Sequence, residues 1–180
     1  MAIDPGIRDE MVATVPRLRA FAVSLCGNVD TADDLVQETL MRAFDNIDKF
    51  TPGTNLTAWL FTILRNHFRS EYRKRKREVE DVDGHHTDSL RSIPEQIGKI
   101  ELEELKAAMT RLPPDQREAL VLVGAAGFSY EEAAEICGCA VGTIKSRLSR
   151  ARTHLAELLG VESGDEFGTD APTRGIVAGP

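Results

Sequence analysis

Aromatic residues make up only 6% of this 180-residue chain, with one tryptophan and two tyrosines, and strand-forming runs are scarce. Sandwiches and barrels draw their pleated faces from such residues, so the expectation is an all-α fold. No run of about 18 apolar residues occurs, and no basic segment followed by an apolar one opens the chain. A membrane span and a signal peptide are therefore not expected, and the chain is read as cytoplasmic. Cys26, Cys137 and Cys139 are odd in number and fit no disulfide framework, which suits a reducing compartment. Cys137 and Cys139 flank one glycine without a second Cys/His pair at zinc spacing, and His85 and His86 lie in a polar stretch, so no metal is expected. A phosphate-binding glycine loop, a Ser/His/Asp grouping and a paired-carboxylate site are missing too. An enzyme, a cofactor and a small-molecule substrate are accordingly not expected.

What the chain does have is unevenly placed charge. Its net charge is -7, yet residues 65–77 hold Arg65, Arg69, Arg73, Lys74, Arg75, Lys76 and Arg77 against Glu71 alone. From Glu78 to Glu104 the sign reverses, with nine carboxylates against Arg91 and Lys99. A second basic block follows at Lys145, Arg147, Arg150 and Arg152. Two cationic patches separated by an acidic stretch predict two anion-binding modules on one tether.

Glycine, proline and capping residues divide the chain in the same way. Residues 5–77 predict three helices: one ending near Cys26-Gly27, one opened by Asp30 or Thr31 and closing near Ile47, and one following Asn55 after the loop "TPGTN". "EVEDVDGHHTDSLRSIPEQ" is polar and aperiodic, as a flexible linker is. Helical pattern resumes near Glu95, and Pro113-Pro114 opens a helix that stops at Gly127. The expected organisation is two small helical domains, 1–80 and 105–160, joined by an acidic linker, 81–104, with a disordered tail, 161–180.

In "SYEEAAEICGCAVGTIKSRLSRAR", Ser129 and Glu132 form a capping-box pattern, Gly138 breaks the short helix, and a longer one begins near Val141. This is a helix-turn-helix. Val141, Ile144, Leu148, Ala151, Leu155 and Leu158 fall on one face of the second helix. The opposite face carries Thr143, Ser146, Ser149, Arg150 and Thr153, flanked by Lys145 and Arg152 on one side and Arg147 on the other. Small hydroxyl residues admit close approach and flanking cations suit two phosphate rails, so the helix fits a DNA major groove.

On the helix after Asn55, Leu56, Leu60, Ile63, Leu64 and Phe68 are expected to face inward, leaving Thr62, Arg65, Asn66, Arg69, Arg73 and Lys76 as an outward stripe. Like charges at i and i+4 repel unless an anion neutralises them, and the economical anion is a polyphosphate. Trp59, Phe61 and Tyr72 offer rings either to unpaired bases or to the core. Along "TADDLVQETLMRAFDNI", Ala32, Val36, Leu40, Ala43 and Ile47 make the expected core stripe. Asp34, Gln37, Glu38 and Asp45 are left outside with Leu35 and Met41, and carboxylates mixed with exposed apolar residues suit a protein partner.

"DLVQETLMRAFDNIDKF", "AWLFTILRN", "LPPDQREALVL" and "SYEEAAEICGCAVGTIKSRLSRAR" resemble, in order and over residues 9–160, the signature segments of the extracytoplasmic-function sigma factors. The resemblance implies a transcription initiation factor. Its first domain, region 2, docks on the clamp helices of core RNA polymerase and opens the -10 element; its second, region 4, binds the -35 element and the polymerase flap. It implies polymerase contacts at Asp34, Leu35, Gln37 and Glu38, to which the face pattern adds Met41, and -10 contacts at the 51–55 loop with Asn55 and at Arg65, Asn66 and Arg69, to which the basic stripe adds Arg73 and Lys76 and the aromatic reading adds Trp59. For the -35 duplex it implies Thr143, Lys145, Ser146, Arg147 and Arg150, and the face pattern adds Arg152. The run "HFRSEYRKRKR" departs from the shorter basic run common in the family. "RSEYRKRKREVED" is similar to the alphaproteobacterial general-stress subgroup, whose members are held by an anti-sigma protein that a response-regulator mimic titrates away. The rival reading, a sigma-like decoy that sequesters such a protein, has no use for two intact basic faces.

Overall fold

The computed structural model describes residues 4–80 and 97–160, and within them the chain is all-α, with no strand. The acidic stretch 81–96, read as part of a flexible linker, and the tail 161–180, read as disordered, lie outside the described residues.

Helix α1, Pro5–Cys26, starts where the Asp4 carboxylate accepts from the amides of Gly6 and Ile7 and ends at Gly27, whose φ of 68° is left-handed. Helix α2, Val29–Asp45, begins earlier than Asp30 or Thr31, because the Asn28 side chain accepts from the Thr31 amide and serves as its N-cap. It stops at Asp45, and a short 3₁₀ turn takes Ile47–Lys49. Helix α3, Leu56–Glu80, follows the loop, and the Asn55 carbonyl side-chain oxygen accepts from the Ala58 amide at its start.

In the second half, α4 runs Ile97–Arg111, inside part of the stretch read as linker, and α5 runs Pro114–Leu120. The predicted continuation to Gly127 is a widened π turn, Val121–Ala125, closed by the Ala126 amide on the Val121 carbonyl at 2.8 Å. Helix α6, Tyr130–Cys137, has the full capping box, Ser129 on the Glu132 amide and Glu132 on the Ser129 amide. Gly138, at φ 62°, turns the chain into α7, Val141–Leu159.

These two halves do not stand apart. One apolar core runs from Leu18, Phe21, Leu60 and Phe61 of the first half into Leu122, Phe128, Ile136 and Ile144 of the second. The Phe61 ring stacks on Phe21 at 5.1 Å and meets Phe128 edge-on at 4.9 Å, so one side chain joins three elements. Phe61 is fully buried.

Two expectations need correction. Leu35 is buried rather than exposed beside Met41, because α2 packs on both α1 and α3 and its buried arc widens to Ala32, Leu35, Val36, Thr39 and Ala43. Arg65 is buried rather than part of an outward stripe, because the second half of the molecule covers that side of α3.

Candidate nucleic-acid interface

Helix α7 is anchored by Ile144, Leu148, Ala151, Leu155 and Ala156, all buried. That leaves Lys145, Ser149, Arg150 and Thr153 exposed, with Thr143, Ser146, Arg147 and Arg152 half-exposed. The polar face is already partly organised. Lys145 Nζ sits 5.5 Å from the centre of the Tyr130 ring on α6, a cation-π contact that draws the ammonium toward the helix-turn-helix. Arg147 Nε pairs with Asp115 of α5 at 3.2 Å and its Nη1 approaches Cys139 Sγ at 3.8 Å. The Ser146 hydroxyl donates to the Thr143 carbonyl at 2.9 Å. Arg150 lies exposed in the middle of the same face.

On α3, Asn66, Arg73 and Lys76 are exposed. Trp59 packs against Phe50 at 5.3 Å, half-buried at the core's edge, while Tyr72 is 51% exposed. Of the three rings left between base and core, Phe61 is core and Tyr72 is open to solvent. Trp59 and Asn66 share an open groove of about 350 Å³ with Arg42 and Lys49 on its far wall. An aromatic ring, an amide and two cations around one groove are the components that hold an unstacked base with its phosphates. Asn55 is differently engaged: its Nδ2 donates to Glu132 Oε1 at 2.8 Å, tying the loop before α3 to the capping box of α6.

The third surface is α2. Asp34, Gln37 and Met41 are exposed, and Glu38 bonds Arg42 at 2.9 Å one turn on. Phe44, which the sequence reading passed over, is 43% exposed beside Met41 at 61%. Its signal is its spacing, three residues after Met41 on the same face. Asp33 faces the other way and takes a hydrogen bond from Arg19 that holds its carboxyl below the usual carboxylate range.

Between the halves lies a polar cluster that sequence reasoning also missed. Glu118 of α5 is fully buried and accepts from Arg65 Nε at 3.1 Å, Arg69 Nε at 2.9 Å and Arg69 Nη2 at 2.8 Å. The hydrogen bond to Glu118 raises the Arg69 pKa further. Beside it, Arg117 donates to the Thr110 and Leu112 carbonyls at 2.8 and 3.0 Å and reaches the Ser24 and Leu25 carbonyls at the end of α1. A cation at a helix C-terminus meets the negative end of the dipole. Burial lowers the Arg117 pKa, and its Nε has no hydrogen-bond partner among the described residues. Such an orphan donor costs about 1 to 3 kcal/mol. The visible signal for Glu118 was a carboxylate three and four residues before Val121 and Leu122, on the apolar face of its helix.

Comparison with known proteins matches the two halves separately. Residues 11–78 match Sigma-70 region 2 and residues 102–155 match Sigma-70 region 4. The chain is 62% identical over 179 residues to the ECF RNA polymerase sigma factor EcfG of Rhodopseudomonas palustris strain TIE-1, covering 99% of each. The chain belongs to the extracytoplasmic-function sigma factors. Sigma factors bind core RNA polymerase and promoter DNA, with regions 2 and 4 serving promoter recognition. Among solved structures, the chain is similar to the sigma factor RpoE from Bartonella quintana, in complex with the anti-sigma factor NepR. The identity is 54% and the TM-score 0.80, over 89% of this chain and 100% of that one. The anti-anti-sigma factor PhyR from Bartonella quintana, complexed with NepR, shares the fold alone, at 20% identity and a TM-score of 0.56, over 83% of this chain and 50% of that one.

Proposed function

We propose that this sigma factor acts in the cytoplasm, without enzymatic chemistry of its own, to start transcription of stress-response genes, and that a small anti-sigma protein holds it inactive. Among its residues, Asn66, Arg73 and Lys76 with Trp59 receive the unpaired -10 strand, joined by Arg65 and Arg69 once they are uncovered. Asn55 belongs to the same site through the loop before α3. Thr143, Lys145, Ser146, Arg147, Arg150 and Arg152 serve the -35 duplex, with Arg147 oriented by Asp115. Asp34, Gln37, Glu38 and Met41, with Phe44 added, dock on the polymerase; the buried Leu35 supports them from below.

The observation that carries this reading is the presence of one cation-bearing helix in each matched region, α3 in region 2 and α7 in region 4, each with an apolar face packed and a basic face open. Capture of the -10 strand exchanges base stacking, a few kcal/mol per flipped base, for groove contacts and phosphate pairing. Regulation by an anti-sigma protein is supported by the Bartonella relative, which was solved in such a complex. Among the described residues, the aliphatic and phenylalanine side chains open to a partner are Val12 on α1, Val29, Met41 and Phe44 on α2, and Leu102 and Leu105 on α4.

The test is run-off transcription with purified core polymerase. Asn66→Ala/Arg73→Ala and Lys145→Ala/Arg150→Ala are each expected to abolish specific initiation while core binding persists. If either pair transcribes normally, the DNA faces are assigned to the wrong residues.

A further inference from the structure

Arg65 and Arg69 sit one turn apart on α3, and their repulsion demands an anion. In the closed molecule that anion is Glu118, which meets Arg69 through both carboxylate oxygens, at 2.9 and 2.8 Å, and Arg65 through one, at 3.1 Å. A phosphate diester offers the same geometry, two acceptor oxygens on one anionic centre, to the same guanidinium forks. We infer that Glu118 stands in for a promoter phosphate, so that the closed molecule and the molecule gripping DNA through Arg65 and Arg69 exclude each other. This rests on the reading of that arginine pair as -10 contacts.

Two observations support an exchange rather than a permanent bolt. Glu118 belongs to region 4 while both arginines belong to region 2, so one carboxylate joins the two DNA-binding halves. Its carboxylate is fully buried, and the loss of water by a buried ion group largely offsets its internal attraction. Trading it for a phosphate at the same donors therefore alters the balance little. The rest of the seam pairs two exposed bonds, Asn55 to Glu132 and Arg17 to the Ala126 carbonyl, with the buried contact of Phe61 on Phe128, so opening parts apolar as well as polar contacts. The arginines are not idle in the free protein; they are occupied by an internal competitor.

The experiment uses the full chain without polymerase. Small-angle X-ray scattering reports compactness, and anisotropy of a labelled promoter bubble across a salt series reports DNA affinity and its salt slope. Glu118→Gln is expected to expand the molecule, raise DNA affinity about tenfold and steepen the log-log salt slope by about 0.8, since the one added phosphate contact contributes about 0.7 to 0.9. Glu118→Asp, which keeps the charge but shortens the reach, gives the same expansion, and circular dichroism of both matches the wild type. Glu135→Gln removes an exposed carboxylate of α6 and changes affinity less than about twofold. Adding Arg65→Gln/Arg69→Gln to Glu118→Gln removes the extra slope.

If the Glu118 variants stay as compact as the wild type, or bind DNA no better than Glu135→Gln, the stand-in role is overturned. If they open and bind better with the arginines removed as well, the stand-in role falls together with the -10 assignment of that pair. Compact Glu118 variants alongside a transcriptional need for Arg65 and Arg69 would overturn only the first.

Discussion

Arg17 of α1 donates from Nη2 to the Ala126 carbonyl oxygen at 2.6 Å, across more than a hundred residues of sequence. The same guanidinium lies 5.9 Å from the Phe61 ring centre and 5.5 Å from that of Phe128. One hydrogen bond and an exposed cation-π contact contribute about 1 to 2 kcal/mol together. Arg17→Met keeps the stem and removes both. Urea unfolding of this variant should show a loss of that size, and an unchanged midpoint would mean the contact contributes nothing in water.

Phe61 is the side chain whose loss is least tolerable. Truncating a fully buried phenylalanine costs about 3 to 5 kcal/mol, and here it also dissolves the stacks on Phe21 and Phe128. Phe61→Ala should lower the thermal midpoint steeply, with both halves losing helicity in one transition because they share the ring. Two well-separated transitions in the wild type would contradict a common core.

Asn55 does two things at once, accepting from the Ala58 amide and donating to Glu132. Removing a helix N-cap costs about 1 kcal/mol, so Asn55→Ala should destabilise by about that amount. Asn55→Asp keeps the cap but sets a carboxylate against Glu132. It should retain stability in isolated region 2 chemistry, read as unchanged α3 amide exchange, yet loosen the contact with α6, read as faster exchange at the Ser129 and Glu132 amides.

Cys137 is a buried thiol whose pKa is pushed up to about 11, chiefly by loss of solvent. Burial disfavours the thiolate, so the folded protein keeps a proton that the unfolded chain releases from about pH 9. Its contribution is therefore intact below pH 9 and lost as pH climbs toward 11. Stability measured by denaturant should fall over that window, and Cys137→Ala should flatten the fall. Iodoacetamide at pH 8, followed by mass spectrometry, should modify the half-exposed Cys139 well before Cys137.

Local structure was largely legible in the residues. Gly27 and Gly138 end their helices in left-handed turns, and Ser129 with Glu132 closes the capping box, because each of these signals acts within a few residues. The start of α2 moved to Asn28 because an asparagine and an aspartate two positions on are equivalent N-caps until the amide each reaches is known. Arg65 and Arg69 were harder. Periodicity treats a helix as if it had one inside and one outside, whereas α3 has region 2 on one side and Glu118 on another. The like-charged pair needs an anion, and the one it holds in the closed chain lies about fifty residues away in sequence. Leu35 is buried for a related reason, since a helix wedged between two others hides more of its circumference than a surface helix does.

The π turn at Val121–Ala125 carries an extra residue around one loop of helix, and immediately beyond it come Ala126, whose carbonyl Arg17 holds, and Phe128, whose edge Phe61 meets. Excising a single residue there would spare every side chain at the seam and yet swing both by roughly a quarter of a revolution, since each helical residue subtends about 100°. The contacts that join the two halves are thus kept in register by a stutter in the backbone, and a deletion at that spot would misalign them while leaving every contacting side chain in place.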